Sequence, residues 1–268
     1  MMSSLVDKTA AIMRRDLLIA IRYRAGFLIT LGGAAAELAA FYYLSRAIGP
    51  GFRPEGVGYF PFVLVGTGFY TFLVMGVNSF LTSVQEAQQT GTLEVLMTSA
   101  TPPAVLVFLS ALSAFSANVL QLAFYLGGGM LFSRAEWMHA NIAGCVIVVV
   151  LSLAIAMAIG LFAASVQLLI QKGSAVVWIL GSGLWFLTGT LFPIGNLPRP
   201  LQVISSLLPV THALSALRQA LLQGWSFAEL RPEIVTLLFF AACLLPLSLL
   251  TFSFSLSHAR REGTLSFY

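Results

Sequence analysis

The side chains able to do chemistry are scarce in this sequence, and their spacing fits no reaction centre. The two lysines, Lys8 and Lys172, do not follow a G-x-x-x-x-G run, so there is no phosphate-cradling P-loop and no ATP site of that kind. The two aspartates, Asp7 and Asp16, precede the first apolar run, which removes an intramembrane aspartyl dyad. His139, His212 and His258 are far apart, and no pair has the spacing of an H-E-x-x-H zinc helix. Cys145 and Cys243 lie within apolar runs, with no C-x-x-C and no disulfide framework. Gly181-Ser182-Gly183 is not a nucleophile elbow and reads as close helix packing. The pattern argues against an enzyme: no catalytic residue, no metal site and no cofactor are expected on this chain.

What remains are polar groups inside apolar runs. Glu37 is the only acidic residue deep in one, just after Gly32-Gly33-Ala34-Ala35-Ala36. A carboxylate at mid-depth in a bilayer costs ~2.5–3.5 kcal/mol on insertion scales, so it should face protein or a water-filled cavity. It is either a polar contact on a transport path or subunit seam, or a structural hydrogen bond to a neighbouring helix. The same two readings hold for Asn78, Asn118 and Gln121, and for Gln167.

The elements that must position these groups follow from composition. Of 268 residues, 58% are hydrophobic and 9% charged. A soluble domain carries about 25% charged residues, so this chain cannot coat a water-facing surface of its own size. An all-α polytopic membrane protein is expected, as a single transmembrane domain. Six segments hold the ~20 mostly apolar residues of a spanning helix: 25–48, 57–83, 103–132, 140–169, 173–193 and 233–256. Between the last two, residues 194–232 are broken by Pro198, Pro200, Pro209 and Pro232. The pieces near 197–223 are too short to cross, and read as surface or re-entrant helices on the outer side.

An even number of spans puts both termini on one side. Arg22 and Arg24 abut the first span, and Arg260 and Arg261 follow the last. Cationic loops stay inside, so both termini and the tail 257–268 are placed in the cytoplasm. Residues 1–24 read as an amphipathic interfacial helix, because Lys8, Arg15 and Arg22 share a face opposite Val6, Ala10, Met13 and Leu17. The net charge of +4 then suits a membrane surface better than nucleic acid.

The loop near 85–101 is cytoplasmic in this topology, yet it holds no cation. Leu93, Leu96 and Met97 form an apolar patch at helical spacing, Thr92 is a plausible cap, and Glu86 and Glu94 flank it. Such a patch suggests a docking surface for another protein.

The run Glu86…Gly91-Thr92-Leu93-Glu94-Val95-Leu96…Thr101-Pro102 resembles the coupling-helix region of type-2 ATP-binding-cassette (ABC) exporter permeases. The later run Gly189-Thr190-Leu191-Phe192-Pro193-Ile194-Gly195-Asn196-Leu197-Pro198, followed by Leu208-Pro209-Val210-Thr211-His212 and Leu217-Arg218, resembles that family's second signature. The resemblance implies a permease subunit driven by a separate nucleotide-binding ATPase in two copies, with ATP and Mg on that partner. It also implies a second permease copy, as a homodimer, in a bacterial inner (plasma) membrane. The ATPase-coupling residues would be Glu86, Gly91, Thr92, Leu93, Glu94, Leu96 and Met97. An outer gate would use Phe192, Pro193, Pro198, Pro209, His212 and Arg218, with Arg218 free to meet a lipid phosphate or anionic substrate, or to snorkel. The cargo would be an amphiphile: a drug-like molecule, a lipid or a lipid-linked glycan. The alternative is an ion-coupled secondary transporter using Glu37.

Overall fold

The computed structural model describes residues 24–90, 122–130, 140–170 and 172–262. The interfacial segment ahead of residue 24, the coupling loop from Gly91 onward, most of the 103–132 span and the tail beyond Glu262 lie outside the described residues.

The described elements are all helical. Helix α1 is Arg24–Ile48, 25 residues long, and α2 is Tyr59–Gln89, 31 residues long. A third helical piece, α3, covers 122–130. They are followed by α4 (Ile142–Ile170), α5 (Gly173–Trp178), α6 (Arg199–Ser206), α7 (Pro209–Leu221) and α8 (Phe227–Glu262). By length and apolar content together, α2, α4 and α8 are fit to cross a membrane, and the pair α6–α7 becomes a fourth candidate only if its 85° bend is counted as one broken span.

The caps explain several boundaries. Proline opens α7 and stands in the first turn of α6, where a missing N–H costs nothing. Asn141 Oδ1 accepts from Gly144 N–H at 3.0 Å and starts α4. Glu229 supplies a side-chain cap at the start of α8: its Oε2 accepts from both the Ser226 N–H and the Ser226 hydroxyl, each at 2.7 Å. That cap starts the last helix at Phe227, so Pro232 does not break the chain there as expected; it lies near the helix start.

Three helices run in one direction. Val84 and Ala87 of α2, Leu161, Ala164 and Leu168 of α4, and Phe252, Leu256 and Ala259 of α8 share one apolar cluster at their C-terminal ends. Tyr42, late in α1, packs edge-on against Phe60, early in α2, with centroids 5.7 Å apart, so α1 is antiparallel to α2. The segments between α2 and α4, and between α4 and α8, must each return the chain to the opposite end.

The second return departs from expectation. Residues 173–193 are not one spanning helix. The α-helix loosens at Ile179–Gly183 into a wider π-turn and dissolves into turns from Leu184, where Gly181 and Gly183 withdraw helix propensity. The segment still travels along α2. Gly173 lies against Leu81, Leu180 O accepts the Tyr70 hydroxyl, and Thr190 lies against Gly66. From Leu81 to Gly66 α2 advances about 22 Å at 1.5 Å per residue, so a partly unwound strand of chain covers most of the distance of a span.

Helix α2 is the most enclosed of the three long apolar helices. Its most apolar stretch is 83% buried, against 17% for α8, whose Leu238, Phe239, Leu250 and Phe254 point outward. Such outward faces are stable only against an apolar solvent.

Candidate functional site

Three polar clusters interrupt this apolar body, one near each end and one between.

At the end where the C-termini meet, α2 continues past its expected limit to Gln89, and Thr90 closes it by donating its N–H (2.9 Å) and hydroxyl (2.7 Å) to Glu86 O. Glu86 therefore lies in the last turn of α2 and is exposed; it does not belong to a separate helix. Beside it runs an amide junction. Gln85 Nε2 donates to Gln167 Oε1 at 3.4 Å, and Gln167 Nε2 donates to Gln88 Oε1 at 3.5 Å. The Gly173 N–H donates to Gln167 Oε1 at 3.0 Å. One buried side chain on α4 thus joins the last turns of α2 to the start of α5. The proposed coupling residues Gly91, Thr92, Leu93, Glu94, Leu96 and Met97 follow α2 directly and lie outside the described residues.

The middle cluster surrounds Glu37, half-buried on α1. The Tyr125 hydroxyl of α3 donates to Glu37 Oε2. Glu37 also borders an open cleft of about 370 Å³, shared with Thr67, Tyr70, Val74, Met75 and Trp185. Asn78 is exposed on α2 and does not line this cleft, and its carbonyl accepts the Thr82 hydroxyl at 3.0 Å. Asn118 and Gln121 lie outside the described residues.

The third cluster is at the opposite end of α2. Arg218 of α7 is 3% exposed. Its Nε and Nη2 donate to Phe62 O at 3.2 and 2.9 Å, Nη1 donates to Gly189 O at 2.8 Å, and Nη2 also donates to Thr190 O at 2.8 Å. The guanidinium carbon stands 3.5 Å from the Phe62 ring centroid, a cation–π contact. The expectation that Arg218 pairs with a lipid phosphate or anionic substrate, or snorkels, is corrected here: the side chain is enclosed, and it donates to two carbonyls of the unwound segment, Gly189 O and Thr190 O, and to Phe62 O of α2. Two glycines make the fit. A Cβ on Gly66 would overlap Arg218 Nη2 and stand 2.5 Å from Thr190 O. Gly189 turns with φ +77°, a left-handed conformation that glycine adopts without strain.

The other residues expected at an outer gate lie on the elements around this staple. Phe192 and Pro193 are half-buried, Pro198 is exposed ahead of α6, and Pro209 begins α7. His212 Nδ1 is 2.9 Å from Glu233 Oε2 on α8, and Nε2 is 2.9 Å from Ser206 O. The hydrogen bond to Glu233 favours the protonated ring and raises the His212 pKa above its ordinary value, against the opposing pull of burial.

Several of these partners carried no signature in the sequence: carbonyls of Phe62, Gly189 and Thr190, or a tyrosine 88 residues from its carboxylate. The S-x-x-E cap at Ser226 was readable and was missed. Among the described residues no three His, Cys, Asp or Glu stand close enough to hold a metal ion. A family model described as "ABC-2 family transporter protein" matches residues 45–250, from late α1 into α8. No curated protein matches the chain.

Proposed function

Because the chain belongs to the ABC-2 transporter family, we propose that it is the permease subunit of an ATP-driven exporter of amphiphilic molecules, whether drug-like compounds, lipids or lipid-linked glycans. In this reading a separate ATPase in two copies binds ATP and Mg, and a second copy of this chain completes the path. The assembly sits in a bacterial inner membrane with both termini and the 85–101 loop in the cytoplasm. The family match over 45–250 carries the reading. The alternative of an ion-coupled secondary transporter is not favoured by that membership.

The amide junction supports a route for the work. Movement imposed on the loop after Gln89 reaches Gln85 and Gln88 first, and through Gln167 the start of α5. From there the unwound segment leads to the Arg218 staple, so the two ends of the path share one continuous piece of chain.

The test is reconstitution with and without the cognate ATPase. Vanadate-sensitive transport of an amphiphile should require both chains. Charged residues at Leu93 and Leu96 should leave membrane insertion intact while uncoupling hydrolysis from transport. Robust flux by this chain alone under a pH gradient would refute the proposal.

A further inference from the structure

The cleft beside Glu37 has the composition of a site for a positively charged ligand. We infer that it binds an amphiphilic organic cation, an ammonium, phosphonium or amidinium group on an apolar body, with Glu37 as its counter-charge. The inference rests on the transport reading for the purpose of the site, but not for its occupancy.

Four observations converge. First, Glu37 lies midway along α1, and the ion pairs of the described residues, His212–Glu233 and His258–Glu262, do not include it. Its partner among the described residues is the Tyr125 hydroxyl on Oε2. A carboxylate accepts about four hydrogen bonds, and in apolar surroundings the missing solvation must come from elsewhere. A cation supplies it at one stroke. Second, Thr67 lines the same cleft at 2% exposure, and its hydroxyl has no hydrogen-bond partner among the described residues. Buried hydroxyls are ordinarily satisfied, so this one is an unspent polar group in the cleft wall, covered as the chain stands. Third, the rings of Tyr70 and Trp185 border it, and aromatic faces attract cations. Fourth, Val74, Met75 and Gly181 complete an apolar wall, and methionine adapts to irregular shapes. The volume, about 370 Å³, falls within the roughly 300–1,000 Å³ of small-molecule sites.

The position gives the site a consequence. Gly181 and Trp185 belong to the stretch where the fifth apolar segment unwinds. A ligand held between Glu37 and Trp185 therefore touches a stretch of chain that has already left regular α-helical bonding.

Binding can be read on the full chain in lipid nanodiscs, with empty nanodiscs subtracted, using tetraphenylphosphonium and its anionic counterpart of equal size, tetraphenylborate. Tetraphenylphosphonium should bind saturably and at least tenfold more tightly than tetraphenylborate. Glu37→Gln should weaken tetraphenylphosphonium at least tenfold, while Glu37→Asp should keep it within about threefold. Should Glu37→Gln fail to assemble, Trp185→Leu carries the test, with a weakening of threefold or more. Equal binding of the two ions, or unchanged affinity in the assembled Glu37→Gln chain or in Trp185→Leu, overturns the inference. No ATPase is needed for this measurement. Glu37-dependent binding without any ATP-driven transport would sink the exporter reading and leave the cation site standing.

Discussion

Arg218 and Glu37 are both ionisable groups in an apolar body, and the molecule treats them in opposite ways. Arg218 is enclosed, with four hydrogen bonds to three backbone carbonyls and an aromatic ring beneath it. Glu37 is half-open, with one tyrosine hydroxyl on one oxygen. A buried charge whose partners all come from the backbone is part of the architecture. A charge left short of partners beside a cleft is available to something that arrives. Burial and saturation, and not the charge itself, separate the two roles.

The contrast can be broken most decisively at Arg218. Arg218→Leu strands the carbonyls of Gly189 and Thr190, and a loss on the order of 2–6 kcal/mol is expected, at about 1–3 kcal/mol for each buried group left unsatisfied. Thermal unfolding in detergent should show it as a collapse of folded yield, and a variant that melts like the parent would erase the contrast. Gly66→Ala comes next. Its Cβ would push between Arg218 and Thr190, and about 1–3 kcal/mol is expected for such overpacking. If the double variant Gly66→Ala, Arg218→Leu costs the full sum of the singles, the two residues do not share one joint. Gln167→Leu removes the hub of the amide junction and leaves its partners unpaired; roughly 1–3 kcal/mol should be lost, together with the link between ATP hydrolysis and transport in the reconstituted pair. Glu37→Gln should be the mildest for stability, within about 1 kcal/mol, because the amide still accepts from Tyr125. A large destabilisation by Glu37→Gln would move Glu37 into the structural class with Arg218.

Much of the fold was legible. The apolar runs 25–48, 57–83 and 140–169 foretold α1, α2 and α4, because length and hydropathy alone dictate where a chain can cross. The C-terminal end of α2 was misjudged, since Gln85, Glu86, Gln88 and Gln89 look like a loop until their backbone is seen continuing the helix. The fifth segment was misread for a deeper reason. Apolar composition reports the solvent, not the backbone, and a broken helix is possible there because Arg218, 28 and 29 positions further on, caps its free carbonyls. Glu37 stood out as an anomaly in the sequence, but its cleft is assembled from α1, α2 and the unwound segment, a convergence that no local pattern encodes.

The geometry around His212 has an electrical consequence. Composition with neutral histidines assigns the chain a charge of +4. The hydrogen bond to Glu233 raises the His212 pKa, so between the ordinary histidine value and that raised value the folded molecule carries more positive charge than that tally. Unfolding within that window should release a hydrogen ion to the buffer, and the stability that this pair contributes should fade as the pH rises through the raised value.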